Sequence, residues 1–447
     1  MGRFLAMGAV LLAALVAGYF IRKAWIIHAG GGRKARQAAR NLELMRERVG
    51  ITIPARPAPA QQPSGPNPAN FEESKVPPFQ LPDPLVLNNG ARVSTPEEWW
   101  EKRRPEIVED FEREVFGRVP KTVPHVTWRV VSEETIVVGT FRARQKVLAG
   151  VVDNSAFPGV TVELSLLLAT PADAEAAVPV VLKLSSIRRP QTEWKELMLS
   201  KRWGYAILEP WSIQPDHGAS IREGIIGLAG RGQPRDPADW GALRAWAWGA
   251  SRAFDYLETD ADVDQLRIGI EGLSRYGKAA LVAMAMDQRF SVALIASSGV
   301  GGAKIMRRRF GEQVENVVVR QNYFWFCGNF LKYASTLTPG DLPVDAHELV
   351  ALCAPRPVFI SAGSLDNGDR WVDPKGMFLA AVHAGPVYEL LGKNGLGTAE
   401  FPPMGTALID GDLAFRQHYE GHTAAPNWPV FAEWAARYWT NSVADTK

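Results

Sequence analysis

The stretch from Arg267 to Phe290 constrains the fold of this chain more than any other. It opens with a short β-branched run, Arg267–Ile270, which is typical of a buried parallel strand. A glycine-flanked turn around Ser274 comes next, and then an alanine-rich helix from Lys278 to Asp287. A strand that turns sharply through a serine into a helix exposes the hydroxyl above the sheet edge. The stretch therefore predicts a parallel sheet with a candidate nucleophile, Ser274.

The glycine pattern around this serine is incomplete. Gly272 stands two residues before Ser274, but position +2 is Tyr276 and the second glycine is Gly277. An ordinary strand-to-helix turn is therefore the alternative interpretation of the motif. The amide directly after the serine would lie at a helix N-terminus, where unpaired N–H groups can stabilise an oxyanion. The choice between the two interpretations depends on the rest of the chain.

Strand and helix patterns alternate through most of the chain. A helix is predicted from the Thr95 cap to about Phe116, before three antiparallel strands at Val126–Val138, Arg142–Leu148 and Val160–Ala169. Buried strands then alternate with helices. The strands are Val178–Leu184, Tyr205–Leu208, Ala293–Ser297, Pro357–Ala362 and Leu413–Gln417, and the helices are Gln191–Ser200, Trp240–Glu258, Pro374–Leu391 and Trp428–Trp439. This order predicts an α/β fold with a mostly parallel central sheet, covered on both faces, and antiparallel N-terminal strands.

The first 30 residues have the composition of a signal or membrane anchor. Arg3 precedes an uncharged apolar run from Phe4 to Ile21, which is long enough for a tilted membrane helix, and no small-x-small cleavage site comes after it. A basic stretch through Arg48 comes next, and its positive charge opposes translocation of the residues after the apolar run. We expect an extracytoplasmic protein, periplasmic or secreted, with possible membrane association through this segment. A mis-assigned start codon is the alternative.

The remainder divides into a linker and one catalytic domain. Residues 31–78 are basic and then rich in Pro, Ala, Gln and Ser, a composition that predicts a semi-extended linker before a domain at residues 79–447. Residues 1–50 hold nine Lys or Arg and two Asp or Glu, so they carry +7 and the remainder carries −5. An acidic body argues against nucleic acid as a partner. Its two cysteines imply no disulfide framework, and no C-x-x-C or H-E-x-x-H spacing indicates a metal.

A nucleophilic serine needs a histidine base. Four histidines come after Ser274: His347, His383, His418 and His422. His347 and His383 fall in helical patterns, where structural roles are the better explanation. His418 ends a predicted strand, whereas His422 lies in the loop before the last helix. That loop suits a mobile base, so His422 is preferred to His418.

The base needs a carboxylate to orient it. After the strand that ends at Ser297 the chain holds no carboxylate until Glu312. The loop after the Pro357–Ala362 strand offers three: Asp366, Asp369 and Asp373. The last of these precedes a proline at a helix start and is better explained as a helix cap. The spacing leaves Asp366 and Asp369 open.

These motifs carry a family resemblance. The segment GLSRYGK, residues 272–278, resembles the G-x-S-R-x-G-K elbow of glucuronoyl esterases, carbohydrate esterase family fifteen. The likeness to bacterial members extends over roughly Lys75 to Trp439 and includes FEREVFGRVP, AWAWGASRAFDYLET, LPVDAHELVALCAPRP and a terminal G-H loop. The resemblance implies an α/β-hydrolase three-layer sandwich that cleaves esters between glucuronic acid side chains of xylan and lignin alcohols. It implies neither a metal nor a diffusible cofactor.

The resemblance also implies roles for individual residues. Carried over by motif position, Ser274 is the nucleophile, His422 the base and Arg275 an oxyanion-hole residue, while Lys278, Glu312 and Trp371 contact the sugar. Many relatives place a glutamate where this chain has Ser297. The chain resembles the subset whose acid lies in a D-x-W element, and Asp369-Arg370-Trp371 matches that element. A solvated Lys278 and an Arg275 paired with a nearby acid are the alternatives.

Other function classes remain open. A broader carboxylesterase or an acetyl xylan esterase would need the same serine and histidine, and Leu273 at the elbow is apolar where relatives often have Cys or His. A non-catalytic, membrane-tethered carbohydrate-binding protein would need neither. We expect a monomer whose partner is glucuronoxylan or another glucuronate ester.

Overall fold

The structure, a computed structural model, describes residues 32–58, 69–189, 192–319 and 321–439. The apolar run Phe4–Ile21, predicted to be a signal or anchor, lies outside these residues. Among the residues described, no helix is both long enough and apolar enough to cross a bilayer.

The centre of the molecule is one ten-stranded sheet. Its strands are β1 Val126–Val138, β2 Phe141–Val152, β3 Glu163–Pro171, β4 Val178–Leu184, β5 Gly204–Leu208, β6 Val263–Leu273, β7 Val292–Ala296, β8 Val358–Ala362, β9 Ala407–Leu408 and β10 Leu413–Gln417. They lie in the order β1-β2-β3-β5-β4-β6-β7-β8-β10-β9. The pairs within β5-β4-β6-β7-β8-β10 are parallel, whereas β1, β2, β3 and β5 pair antiparallel, as does β9 with β10. The predicted sheet class is confirmed.

Helices cover both faces of this sheet. They are α1 at residues 32–49, α2 Pro96–Glu98, α3 Arg104–Glu114, α4 Glu193–Ser200, α5 Pro210–Ile213, α6 Gly224–Ala229, α7 Ala242–Leu257, α8 Arg275–Met286, α9 Val314–Val317, α10 Ala346–Ala351, α11 Pro374–Leu390 and α12 Trp428–Trp439. The residues of strand β7 show that helices pack on both faces of the sheet. Ala293 and Ile295 join the core under α7, α8 and α11, while Val292 and Leu294 join the core under α4 and α12. Alternate residues of a strand face opposite sides, so the molecule is a three-layer sandwich.

The predicted elements match the observed ones closely where the pattern was long. The bounds of β1, β4, β10 and α12 are as predicted, and Thr95 accepts a hydrogen bond from the amide of Glu98 at 3.2 Å, as a helix cap does. The edge strand β9 and the short helices α5, α6 and α9 were not predicted. Each spans two to six residues, which is too short for a periodic pattern to be visible.

The segment that we predicted to be a linker contacts the domain where it is described. Met45 and Ile51 belong to the main core. The Arg56 guanidinium donates to the carbonyl oxygen of Ser335 at 2.6 Å, and the side chain of Asn70 donates to that of Arg309 at 2.8 Å. These parts of residues 31–78 therefore lie on the domain, and the boundary at residue 79 stays a prediction.

We expect the free energy of unfolding to fall by about 3 kcal/mol in Ile270→Ala, because this side chain is fully buried at the centre of β6 and its loss leaves a cavity. Leu266→Ala is the matched control, since Leu266 is 78% exposed on the same strand. It should change the free energy by less than about 0.5 kcal/mol. Urea denaturation of both variants measures the difference, and equal losses would contradict the assignment of Ile270 to the core.

Candidate active site

Ser274 lies between the end of β6 and the start of α8 in a conformation that L-residues rarely adopt. Its φ is 63° and its ψ is −129°. The turn depends on two glycines. A Cβ on Gly272 would lie 2.2 Å from the carbonyl oxygen of Tyr276, and a Cβ on Gly277 would lie 2.8 Å from that of Ala296. The close approach at Gly277 explains why the second glycine stands three residues after the serine. Strain of this kind concentrates at functional sites.

The serine opens onto a large cleft at the carboxyl ends of the strands. The cleft has a volume of about 1060 Å³, and Ser274, Arg275 and His422 line it together with Trp211 and Tyr276. Ligands of open α/β sheets bind at this edge. The structure therefore brings the predicted nucleophile and the predicted base to one cavity large enough for a small-molecule ligand.

Asp369 lies buried beside the predicted base. Its Oδ1 is 2.6 Å from Nδ1 of His422. Its Oδ2 accepts hydrogen bonds from the hydroxyl of Ser297 and from the amide of Gly363, both at 2.6 Å. The imidazole is partly exposed, whereas the carboxylate is fully covered. A carboxylate on Nδ1 fixes the ring orientation and leaves Nε2 to act on a proton.

The other two carboxylates of this loop are placed differently. Asp366 is exposed, and its amide donates to the hydroxyl of Ser364 at 3.2 Å. Asp373 accepts from the amide of Gly376 at 3.0 Å and caps α11, as the sequence predicted. The geometry thus favours Asp369 over Asp366, a choice that the residue spacing alone left open.

Two of the remaining candidate histidines, His347 and His418, make structural contacts. Nε2 of His347 lies 2.8 Å from the carbonyl oxygen of Pro82, and burial lowers the pKa of His347 to about 4. Nε2 of His418 lies 2.9 Å from the carbonyl oxygen of Thr423, and burial lowers the pKa of this ring too. The structural interpretation of His347 and the preference for His422 over His418 both agree with these contacts.

Arg275 follows the serine and is held by two residues that the sequence reasoning missed. Its guanidinium donates to Asp216 and lies 5.2 Å from the centre of the Trp325 ring. The indole N–H of Trp325 donates to the other oxygen of Asp216 at 2.8 Å. The pairing of Arg275 with a nearby acid is therefore real, yet the arginine still lines the cleft. Asp216 stands in a bend and Trp325 ends a three-residue 3-10 helix, Tyr323–Trp325, so no periodic pattern marks either residue.

The three predicted sugar contacts form a second, connected group. The ammonium of Lys278 donates to Oε2 of Glu312 and to the carbonyl oxygen of Val300, both at 2.7 Å. The indole N–H of Trp371 donates to Oε1 of Glu312 at 3.2 Å. Burial lowers the pKa of Lys278, and the carboxylate of Glu312 opposes that shift. The same ammonium lies 5.9 Å from the Trp325 ring, which joins this group to Arg275.

Comparison with known proteins gives consistent matches. Residues 235–392 match the model of a family described as glucuronyl esterase, fungi. The chain is 32% identical over 412 residues to a carbohydrate esterase from an unknown prokaryotic organism, covering 83% of this chain and 92% of that protein. It is 29% identical over 358 residues to a 4-O-methyl-glucuronoyl methylesterase from Wolfiporia cocos, covering 76% of this chain and 81% of that protein.

Solved structures agree with these sequence matches. A glucuronoyl esterase of carbohydrate esterase family fifteen from Teredinibacter turnerae superposes with a TM-score of 0.84 at 40% identity, covering 90% of this chain and all of that chain. A glucuronoyl esterase from Solibacter usitatus superposes with a TM-score of 0.74 at 35% identity, covering 82% of this chain and all of that chain. The chain thus resembles these enzymes over nearly their whole length.

Gly272→Ala tests whether the close approach at the elbow positions the serine. The new Cβ would displace the Tyr276 carbonyl, and a shift of about 1 Å at a reacting group can cost on the order of 10² in rate. We expect a fluorophosphonate probe to label Ser274 at least about tenfold more slowly in this variant. Gly385→Ala in α11 is the control, because nothing lies within 4 Å of its added Cβ. Unchanged labelling in Gly272→Ala would show that this glycine does not position the serine.

Proposed function

Because the chain belongs to the glucuronoyl esterase family and is a carboxylic ester hydrolase, we propose that it cleaves esters of the glucuronic acid side chains of xylan through a Ser-His-Asp triad. One observation carries the proposal. Ser274 stands in a strained turn on the cleft that His422 also lines, and the buried carboxylate of Asp369 holds His422. The methylesterase activity in the name of the Wolfiporia cocos relative supports a glucuronate acyl group.

The proposed reaction proceeds in two steps. In the first, Oγ of Ser274 attacks the ester carbonyl carbon while its proton passes to Nε2 of His422, and Asp369 stabilises the imidazolium through Nδ1–H. Arg275 and the amides at the start of α8 stabilise the oxyanion. The alcohol leaves with the proton from His422. In the second step a water molecule, deprotonated by His422, hydrolyses the acyl-enzyme and releases the glucuronate and the serine.

The group around Glu312 has the hydrogen-bonding capacity that sugar hydroxyls need. An ammonium has three donors, and two of those on Lys278 are used by Glu312 and Val300. Oε1 of Glu312 accepts from Trp371 and retains a further lone pair. Since Glu312 already neutralises the charge of Lys278, the pair suits neutral hydroxyl groups. We propose that these residues contact the glucuronate ring and orient its ester at Ser274.

A second cavity beside the triad supports an aromatic alcohol portion, as in lignin esters. It has a volume of about 360 Å³ and is lined by Leu273, directly before the nucleophile, and by Thr423, directly after the base. Trp194 and Trp428 form much of its apolar wall and stack with ring centres 5.1 Å apart. Small aromatic groups suit an apolar cavity of this size.

The proposed substrate agrees with the expected location. A wall polysaccharide is too large to cross a membrane, so the enzyme must meet it outside the cytoplasm. The apolar run Phe4–Ile21 is the segment that we propose directs export or anchors the chain.

The identity of the triad acid gives a matched pair of variants. We expect Asp369→Asn to lower kcat by about 10⁴, because an amide on Nδ1 favours the wrong imidazole tautomer. Asp366→Asn is the control, since it makes the same chemical change at an exposed position three residues away. Initial rates on the methyl ester of glucuronic acid measure both. A large loss in the control and a small one in Asp369→Asn would move the acid to Asp366.

Substrate preference tests the function itself. We expect kcat/KM to be much higher on methyl and benzyl glucuronates than on an acetylated sugar, because an acetyl group is too small to reach Lys278, Glu312 and Trp371. Lys278→Ala and Trp371→Phe should each lower kcat/KM about tenfold to a hundredfold on glucuronates and much less on acetates, since each removes a donor to Glu312.

Trp128→Phe is the control for Trp371→Phe. It removes an indole N–H that donates to a backbone carbonyl on Arg252, away from the cleft. It should leave both activities unchanged. A native enzyme that prefers acetate esters would replace the proposal with an acetyl xylan esterase. A folded protein with no activity on any ester would indicate a non-catalytic carbohydrate-binding protein.

A further inference from the structure

Helix α1, at residues 32–49, is attached to two loops near the predicted oxyanion site. Asn41 is buried, and its Nδ2 donates to the carbonyl oxygen of Gly218 at 2.9 Å. Its Oδ1 accepts from Gln37 at 2.9 Å, which fixes the orientation of the amide. Met45 makes the contact with the second loop, which carries Trp325 and Gly328. A Cβ on Gly328 would lie 2.2 Å from the sulfur of Met45, so the Met45 side chain packs directly on this loop.

The carbonyl of Gly218 connects these two loops. It also lies 3.5 Å from the hydroxyl of Tyr323, which can donate to it. Gly218 stands two residues after Asp216, and Tyr323 stands two residues before Trp325. Asn41 therefore contacts the point where the loop bearing Asp216 meets the loop bearing Trp325.

Asp216 and Trp325 are the residues that hold Arg275. The Asp216 carboxylate is almost fully buried and accepts from both the guanidinium and the indole N–H. A buried carboxylate that serves two donors tolerates little displacement, because each hydrogen bond weakens steeply with misalignment. A shift of the Gly218 backbone would be transmitted to Arg275 over two residues.

We propose that Asn41 is a positioning residue for ester hydrolysis, which holds Arg275 in place through Gly218, Asp216 and Trp325. The proposal rests on the oxyanion role proposed for Arg275. It gives a function to a segment whose composition is that of a linker. Gln214 supports the same loop from inside the domain, with its Nε2 donating to Ser220 at 3.0 Å. The loop therefore stays folded without Asn41. The loss of Asn41 changes how precisely the loop positions Asp216.

Asn41→Asp is the direct test, because it keeps the size of the side chain, replaces the donor to Gly218 with a carboxylate oxygen and adds one negative charge. We expect kcat on p-nitrophenyl acetate to fall about fivefold, the effect of one hydrogen bond, while KM changes less than about twofold. Arg40→Gln is the matched control, since it alters the charge by the same amount at the adjacent, exposed position. It should leave kcat unchanged.

A double-mutant cycle distinguishes positioning from general stability. In an Arg275→Ala background, Asn41→Asp should cause no further loss of kcat, because the residue that it positions is gone. Asn41→Asp would overturn the proposal if it lowered kcat equally in both backgrounds, or if it lowered Tm alone and left kcat unchanged.

The acetate probe separates this inference from the proposed substrate. Hydrolysis of p-nitrophenyl acetate depends on Ser274 and the oxyanion site, whichever acyl group the natural substrate carries. A native enzyme that hydrolyses p-nitrophenyl acetate and no glucuronate ester would overturn the substrate and leave the Asn41 test valid. A native enzyme inactive on both esters would overturn the proposed function and the role of Asn41 together.

Discussion

The buried carboxylate of Asp369 is the group on which the site geometry depends. An uncompensated charge in a protein interior is costly, and this one is stabilised by three donors at 2.6 Å. The donors come from three neighbouring positions at the sheet edge: Ser297 directly follows β7, Gly363 directly follows β8, and His422 lies in the loop after β10. The carboxylate is satisfied only when β7, β8 and β10 are paired in the observed order. The strand order that folds the sheet therefore also orients the ring of His422.

The two cations near Ser274 also lie beside carboxylates. Arg275 is paired with Asp216 and Lys278 with Glu312, and the two cations lie 5.2 and 5.9 Å from the centre of the Trp325 ring. Each cation keeps further N–H donors for other partners, while its carboxylate offsets part of its charge. Such a site offers hydrogen bonds to several hydroxyls, which agrees with the proposed sugar ester substrate.

The sequence predicted the features that depend on local pattern and missed those that depend on contact between distant loops. The largely apolar run of β4 and the strand–turn–helix pattern around Ser274 are local, and the structure contains both of these predicted elements. Asp216 and Trp325 meet across 109 residues of chain, so no spacing rule brings them together. The α1 helix was not predicted, for a different reason. Its basic composition indicates a linker, whereas its buried positions Ala38, Asn41 and Met45 recur at helical spacing, a signal that the composition obscured.

The contact between Ser297 and Asp369 bears on which position carries the proposed triad acid. The resemblance to glucuronoyl esterases implies that many of them carry a glutamate where this chain has Ser297, and here the Ser297 hydroxyl lies 2.6 Å from Oδ2 of Asp369. A second carboxylate there would put two like charges side by side in a buried site, which raises the pKa of one of them and favours its neutral form, so that it no longer stabilises an imidazolium. A serine instead donates a hydrogen bond to Asp369 and brings no competing charge. The absence of a glutamate at position 297 and the proposed acid in the loop after β8 therefore fit together, since a second carboxylate would compete with Asp369 for the same donors.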